Sequence, residues 1–253
     1  MTLTPDQRTR LAPEYSTPDY IERAITQTVT LPLYMDGNLY VPDSGTLTML
    51  DAAGQAVTGL SAVVVALVGD YASYEIAAAT VPATLSLSDQ WQEVWTLVID
   101  GVAIEFRREA ALVRNRLRPV ISDRDLEKLH TEIRAWLAED QGSAQGYIDA
   151  AWDEVQIRLM EQGNRPYLIM SNYALRTAHL DLALANLFRD YSSSAAGDEG
   201  KYEKLAAAYQ KKWEQDFQRI KFRYDLGEDG LLPEDKQSNV QPLFSTVPGN
   251  WQQ

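Results

Sequence analysis

The hydrophobic period of this 253-residue chain changes once, close to Pro119. Before that position, short apolar runs alternate with polar residues and end in Gly, Pro, Asp or Ser, which is typical of closely spaced β-strands. After it, apolar residues recur every three or four positions, which is typical of amphipathic helices. The change predicts a β part followed by a helical part, and therefore the α+β fold class.

Residues 93–109, EVWTLVIDGVAIEFRRE, contain a clear local signal. Two β-branched and aromatic runs, 94–99 and 102–106, flank the dipeptide Asp100-Gly101. This dipeptide tolerates the positive φ angles of a type I′ turn, so the stretch predicts a β-hairpin. With the other short runs between 31 and 117, it predicts a small antiparallel sandwich or barrel that is immunoglobulin-like in architecture only. The predicted large core residues are Tyr74, Trp91 and Trp95.

Periodicity and composition divide the chain into an N-terminal polar segment (1–30), a β-sandwich module (31–118), a helical domain (119–226) and an extended C-terminal arm (227–253). Within the first segment, Thr17-Pro18-Asp19 has the order of a helix cap followed by proline in the first turn. It predicts a short helix over residues 18–26.

Four helices are predicted after Pro119. The first begins at Ser122, because Asp125 three residues later completes a capping box, and its apolar positions continue to Leu137. The other three are predicted over residues 143–161, 171–191 and 201–225. The last has a narrow aromatic stripe, which we interpret as packing against the first three helices.

Composition limits the function. Hydrophobic residues at 45% and charged residues at 23% are typical of a globular protein. The absence of cysteine excludes disulfides and thiolate chemistry. A net charge of −13 argues against general nucleic-acid binding, which depends on Lys and Arg. No apolar run reaches the length of a membrane span, so we expect a soluble protein made in the cytoplasm.

Known catalytic and cofactor motifs are missing from the sequence. There is no phosphate-binding loop, dinucleotide fingerprint, nucleophile elbow or zinc-protease motif. The two histidines, His130 and His179, stand apart, and we interpret them as surface or satisfied interior residues. The acidic stretch from Asp225 resembles a calcium loop but has Gly227 and Lys236 at ligand positions. We therefore predict no catalytic, cofactor or metal site and no enzymatic activity.

Three alternating arginines, Arg114, Arg116 and Arg118, follow the hairpin. On an extended segment they share one face. The favoured interpretation is ion pairing with the chain's own carboxylates; a strip facing another subunit or a partner is the second, and contact with DNA the third.

The C-terminal arm is too apolar for a free tail. Its prolines keep it extended, and such a segment usually lies on a partner. Its predicted docking residues are Leu231, Leu232, Leu243, Phe244 and Trp251.

Residues 121–191 contain ISDRDLEKL, GYIDAAWDEVQIRL and GNRPYLIMSNYALRTAHLDLAL. This order of segments resembles the helical head–tail connector (adaptor) proteins of long-tailed bacteriophages. The preceding block, from PATLSLSDQW to ISDRDL, is similar to a β module fused ahead of that helical unit in phage neck proteins. The resemblance covers half to two-thirds of the chain, and its motifs are patterns without catalytic residues.

The resemblance implies a structural virion protein of the neck, assembled in the host cytoplasm. It implies a homo-oligomeric ring, often dodecameric, beneath the portal protein, with the arm docked into the portal and stopper or tail-completion proteins beyond. Genomic DNA would pass through the lumen without specific binding, which suits an acidic protein. The length of the chain departs from a compact adaptor, which needs only the helical part.

Two other hypotheses stay open from the sequence. The β part could be a carbohydrate- or surface-binding module carried on an oligomerising helical domain, for which exposed aromatics would be the sign. A hydrolase with an unrecognised carboxylate pair is the other.

Overall fold

A computed structural model of the chain describes residues 10–13, 19–69, 71–137, 142–194 and 199–228. Strands occupy the first part of the described chain and helices the second, so the predicted α+β class is confirmed. The predicted docking residues of the arm, Leu231, Leu232, Leu243, Phe244 and Trp251, lie outside the described residues.

The described strands form two sheets. In chain order the strands are β1 (Leu11–Pro13), β2 (Asp19–Glu22), β3 (Gln27–Met35), β4 (Asn38–Leu39), β5 (Ser44–Leu50), β6 (Val63–Val64), β7 (Ala66–Val68), β8 (Tyr71–Ile76), β9 (Ser88–Ile99) and β10 (Val102–Val113). The first sheet has the order β1-β3-β8-β7, with β4 paired to β3, and the second has the order β2-β10-β9-β5-β6. All pairs are antiparallel except β2 with β10, which are parallel.

The β9–β10 hairpin forms as predicted. Val102 pairs with Ile99, and the two turn residues have positive φ angles, 50° at Asp100 and 73° at Gly101. Two consecutive positive φ angles are the mark of a type I′ turn. Both strands are longer than the two apolar runs, since β10 continues to Val113, directly before the arginines.

Both sheets contribute to one apolar core. Alternate residues of β9 point into it, and Trp91 and Trp95 are 2% and 0% exposed. Leu31 and Leu33 of β3 enter the same cluster from the other sheet. The two tryptophans are therefore core residues as predicted, while Tyr74 packs against the cluster at its half-buried edge.

The predicted helix over residues 18–26 is wrong. Residues 19–22 form β2, which pairs with β10 so that Tyr20 stands beside Ala111. Strand β1 also belongs to a sheet, so the β part begins before residue 31. The cap-like residues before β2 favour a helix locally, but burial of Ile21 in the core favours the strand.

Five α-helices are described: α1 (Asp123–Leu129), α2 (Ile133–Trp136), α3 (Gln145–Glu161), α4 (Arg176–Ser194) and α5 (Glu199–Arg219). Three short 3₁₀ turns cover Ala78–Thr80, Pro166–Leu168 and Asn172–Leu175. Helix α4 packs against both α3 and α5. It is buried on several sides, and its fully buried residues include Ala178, Leu182, Ala183, Leu184, Ala185 and Phe188.

Three predicted helices have other bounds in the structure. The helix predicted over residues 171–191 is α4, Arg176–Ser194, which follows the 3₁₀ turn Asn172–Leu175. The first predicted helix divides into α1 and α2, because the chain turns at His130 and leaves Leu129 exposed. The last helix ends at Arg219, and the residues after it leave the helix. The capping box at Ser122 is present as predicted: its backbone N–H donates to the Asp125 carboxylate over 3.0 Å.

Candidate functional site

The three predicted arginines lie where the sheets meet the helices, and each contacts a carboxylate of the same chain. Arg114 Nε is 2.7 Å from Asp225 Oδ2, Arg116 Nη2 is 3.2 Å from Asp19 Oδ1, and Arg118 Nη2 is 3.6 Å from Glu22 Oε2. The favoured interpretation, intramolecular ion pairing, therefore describes all three. Their exposure rises along the segment, and the Arg118 side chain is 71% exposed.

The segment after α5 returns to this junction. The Met170 N–H donates to the Arg223 carbonyl over 3.0 Å, and the Asp225 N–H donates to the Leu168 carbonyl over 2.9 Å. These bonds form a short antiparallel bridge between Ile169 and Tyr224. Asp225 is 2% exposed, so its ion pair with Arg114 is held inside the protein. The acidic loop that resembles a calcium site thus holds an arginine.

Glu228 then ties the same segment to the β part. Its carboxylate accepts the Leu87 N–H over 2.9 Å and lies 3.2 Å from Arg23 Nη1. Arg23 Nη2 also donates to the Glu228 carbonyl over 2.8 Å, and Arg114 donates to the same oxygen. Charge-assisted bonds of this kind are stronger than neutral ones. They fix residue 228, the last described residue of the chain, against the β part.

Apolar contacts complete the junction. Tyr20, Ala111 and Val113 form a small buried cluster on the outer face of the second sheet, and Tyr167 from the helical part packs on it. Tyr224 packs against both large cores, and its hydroxyl donates to Asn164 Oδ1 over 2.8 Å. Polar and apolar contacts therefore hold the sheets and helices in one relative orientation.

A buried charge cluster lies beside the junction, at the core face of the hairpin. Arg108 donates to Glu93 Oε2 from Nε over 2.8 Å and from Nη2 over 2.5 Å, and Nη2 also reaches Asp19 over 3.1 Å. Trp95 Nε1 donates to the same Glu93 oxygen over 2.8 Å. Glu93 is 0% exposed, and burial raises its pKa to about 7 against the opposing effects of Arg108 and Trp95.

A cleft of about 470 Å³ opens between this cluster and α3. Arg108, Arg116 and Asp19 line one side, and Trp152 and Asp153 of α3 line the other. The arginines of the cleft are already paired to carboxylates, so their charge serves to join the strands. The arrangement is that of a structural joint between two parts of a chain.

Both histidines lie in the helical part and contact polar groups there. His179 is buried, and its Nε2 donates to the Ile148 carbonyl over 2.8 Å. Burial lowers its pKa. His130 Nε2 lies 2.8 Å from the Tyr209 hydroxyl, and burial lowers its pKa also. Within the described ranges no three His, Cys, Asp or Glu side chains gather as a metal site would require.

The aromatic stripe of α5 packs as interpreted from the sequence. Tyr202, Trp213 and Phe217 are buried in the core of the helical part. Among the described aromatic residues of the β part, Tyr71 is the exposed one, with 40% of its surface accessible. Both tryptophans of β9 are internal.

The partners of the arginines were not found from the sequence. Asp19, Glu22 and Asp225 are separated from the arginine segment by many residues, and nothing local identifies them. The Glu93–Arg108 pair did leave a signal: Glu93 stands between Trp91 and Trp95 in the inward register of a strand. A charged residue at an apolar position of a strand is a sign of a buried partner.

Comparison of the chain with protein-family models, with curated proteins and with solved structures finds no match in any of the three. In the part of the chain that the structure describes, none of the helices has the length and apolar character that a membrane crossing needs.

Proposed function

We propose that the protein is a structural component of a bacteriophage virion, a head-to-tail connector (adaptor) that forms a ring under the portal and lines the DNA exit channel. In this proposal an N-terminal β-sandwich, immunoglobulin-like in architecture, precedes a helical adaptor domain and an extended C-terminal arm. The resemblance of residues 121–191 to such adaptors supports it.

The junction is the observation that carries the proposal. Residues 223–228 are bonded to the helical part through Leu168 and Met170 and to the β part through Arg23 and Leu87. The arm therefore begins at a point whose position is fixed relative to both parts. A connector needs this property, because it must hold one neighbour at a set orientation while a terminal segment reaches another.

The partners in this proposal are other copies of the chain, the portal protein, and stopper or tail-completion proteins. DNA passes through the lumen, where a net charge of −13 disfavours its retention. The proposal includes no enzymatic activity, cofactor or membrane contact.

The arm supplies the test. Each subunit of a ring contributes one arm, so weak contacts act together through effective concentration. Serine at Leu231, Leu232, Leu243, Phe244 and Trp251 should leave folding intact and produce filled heads without tails. The matched control places serine at five polar positions of the same arm: Gln237, Asn239, Gln241, Asn250 and Gln252.

Electron microscopy of particles assembled with each variant reads the result. Normal joining of heads to tails by the apolar-to-serine variant would show that the arm does not dock to the portal. The exposed Arg118 region would then be the next candidate for partner contact.

A further inference from the structure

Charge is distributed unevenly between the two helices that flank α4. Helix α3 has four acidic residues and one basic residue, Arg158, whereas α5 has four acidic and five basic residues. The difference is notable in a chain whose net charge is −13. Helix α4 packs against both of them. The C-terminal parts of α3 and α5 also line one cleft, to which α3 contributes Arg158 and α5 contributes Gln218.

The outer face of α5 is basic. Lys201, Lys204, Lys211 and Arg219 are exposed and fall within about 80° of one another around the helix at 3.6 residues per turn. Among the described residues, none of the four lies within ion-pair distance of a carboxylate. They differ in this from the arginines of the junction, each of which has its partner inside the chain.

The outer face of α3 is acidic with an apolar centre. Asp149, Glu154 and Glu161 are exposed along it. Glu161 is paired with Arg158 of the same helix over 3.2 Å, so Asp149 and Glu154 are the two of these three acidic residues that are open to a partner. Between the three acidic residues lie Ala150 and Ile157, and Ile157 is 41% exposed. Small residues permit close approach of another helix, and an exposed isoleucine gains from being covered.

We propose that the basic face of α5 in one copy docks on the acidic face of α3 in the next copy. The inference rests on the proposed ring and names the surfaces that build it. The two faces are complementary in charge and belong to one chain. Contact between two different faces of the same subunit is heterologous, and heterologous contacts close into rings when the rotation permits. The exposed Ile157 and the small Ala208 of α5 would be covered together.

Charge reversal tests the contact directly. In the double variant Lys204→Glu with Lys211→Glu, the α5 face becomes acidic and would meet the acidic α3 face of the next copy. In the double variant Asp149→Lys with Glu154→Lys, the α3 face becomes basic and would meet the basic α5 face of the next copy. Each double variant alone should lose the oligomer in sedimentation velocity while keeping the circular dichroism spectrum of the folded wild type. An equimolar mixture of the two should regain the oligomer, because every contact in an alternating ring is again between opposite charges.

The matched control is Arg10→Glu with Arg107→Glu, which changes the net charge by the same amount as the lysine variant, but on the β part. It should leave the oligomer unchanged.

If both double variants still form the same oligomer as the wild type, the proposed contact is wrong and the proposed function stands. Loss of the oligomer without recovery in the mixture would overturn the contact too. If the lysine variant keeps its oligomer but loses salt-dependent binding of a DNA duplex, the basic face contacts DNA and the proposal is wrong. Failure of the wild type to form any ring, alone or in particles, would instead contradict the proposed function.

Discussion

Replacing Glu93 with glutamine should change how the stability of the protein depends on pH. Glu93 is 0% exposed on the core face of the hairpin, and burial raises its pKa from 4.5 to about 7. A carboxyl group whose pKa is higher in the folded state stabilises the fold fully below its unfolded pKa. That contribution is lost as the pH rises toward the folded pKa, so the affected window is pH 4.5 to 7.

The magnitude follows from linkage. A difference of 2 to 3 pKa units corresponds to about 3 kcal/mol at roughly 1.4 kcal/mol per unit. Glutamine has no proton to lose and keeps a hydrogen-bonding side chain opposite Arg108. The free energy of unfolding of Glu93→Gln minus that of the wild type should therefore increase by about 3 kcal/mol between pH 4.5 and pH 7.5. The variant also loses the charged partner of Arg108, which changes its free energy of unfolding by an amount that depends little on pH.

Urea unfolding followed by tryptophan fluorescence measures this, because Trp91 and Trp95 lie in the same core. Protein concentration must be equal throughout, since association shifts apparent stability. Glu105→Gln, which removes an exposed carboxylate from the same hairpin, is the matched control. A difference that stays constant across the pH range would refute the reasoning and show that Arg108 and Trp95 fully offset the burial of Glu93.

Three further substitutions test the fold and the junction. Gly101→Val forces a β-branched residue to a φ of 73° and should lower the free energy of unfolding by about 1–3 kcal/mol. Gly142→Val is the control, since Gly142 has open space around it and no positive φ, and it should lower the free energy of unfolding less. Equal melting temperatures of the two variants would contradict the turn. Gly45→Ala places a Cβ against the Leu97 side chain and 3.1 Å from the Thr96 carbonyl, so overpacking should cost about 1–3 kcal/mol; an unchanged melting temperature would show that the strand can shift. Asp225→Ala removes the buried partner of Arg114 and should speed tryptic cleavage after Arg114 and Arg116, with Glu105→Ala, which removes the exposed partner of Arg107, as the control. Wild-type cleavage rates would mean that the ion pair does not hold the junction.

Local signals in the sequence predicted the elements that depend on neighbouring residues. The Asp100-Gly101 turn, the Ser122 capping box and the apolar stripe of α3 are each set within a few positions, and the structure contains all three. Their energetics are local, so the sequence pattern was sufficient.

The elements that were predicted incorrectly are those whose structure depends on contacts with residues far away in the sequence. Residues 19–22 join β10, about ninety positions away, and this pairing overrides a helix start. The last helix ends at Arg219, and Tyr224 beyond it bridges to Ile169, which is about fifty-five positions away. The arginines of the junction were predicted to form ion pairs, but Asp225 as the partner of Arg114 depends on how the helical part folds back. Such contacts are properties of the tertiary structure and leave no local pattern.

We propose above that the protein forms the ring at the head–tail junction. Electron cryo-microscopy of particles labelled with an antibody fragment against the β part tests it most directly. We predict label at the neck alone, between the portal vertex and the tail, around a closed ring of copies of this chain. Label spread over the capsid surface, at the tail tip, or absent from purified particles would contradict the claim.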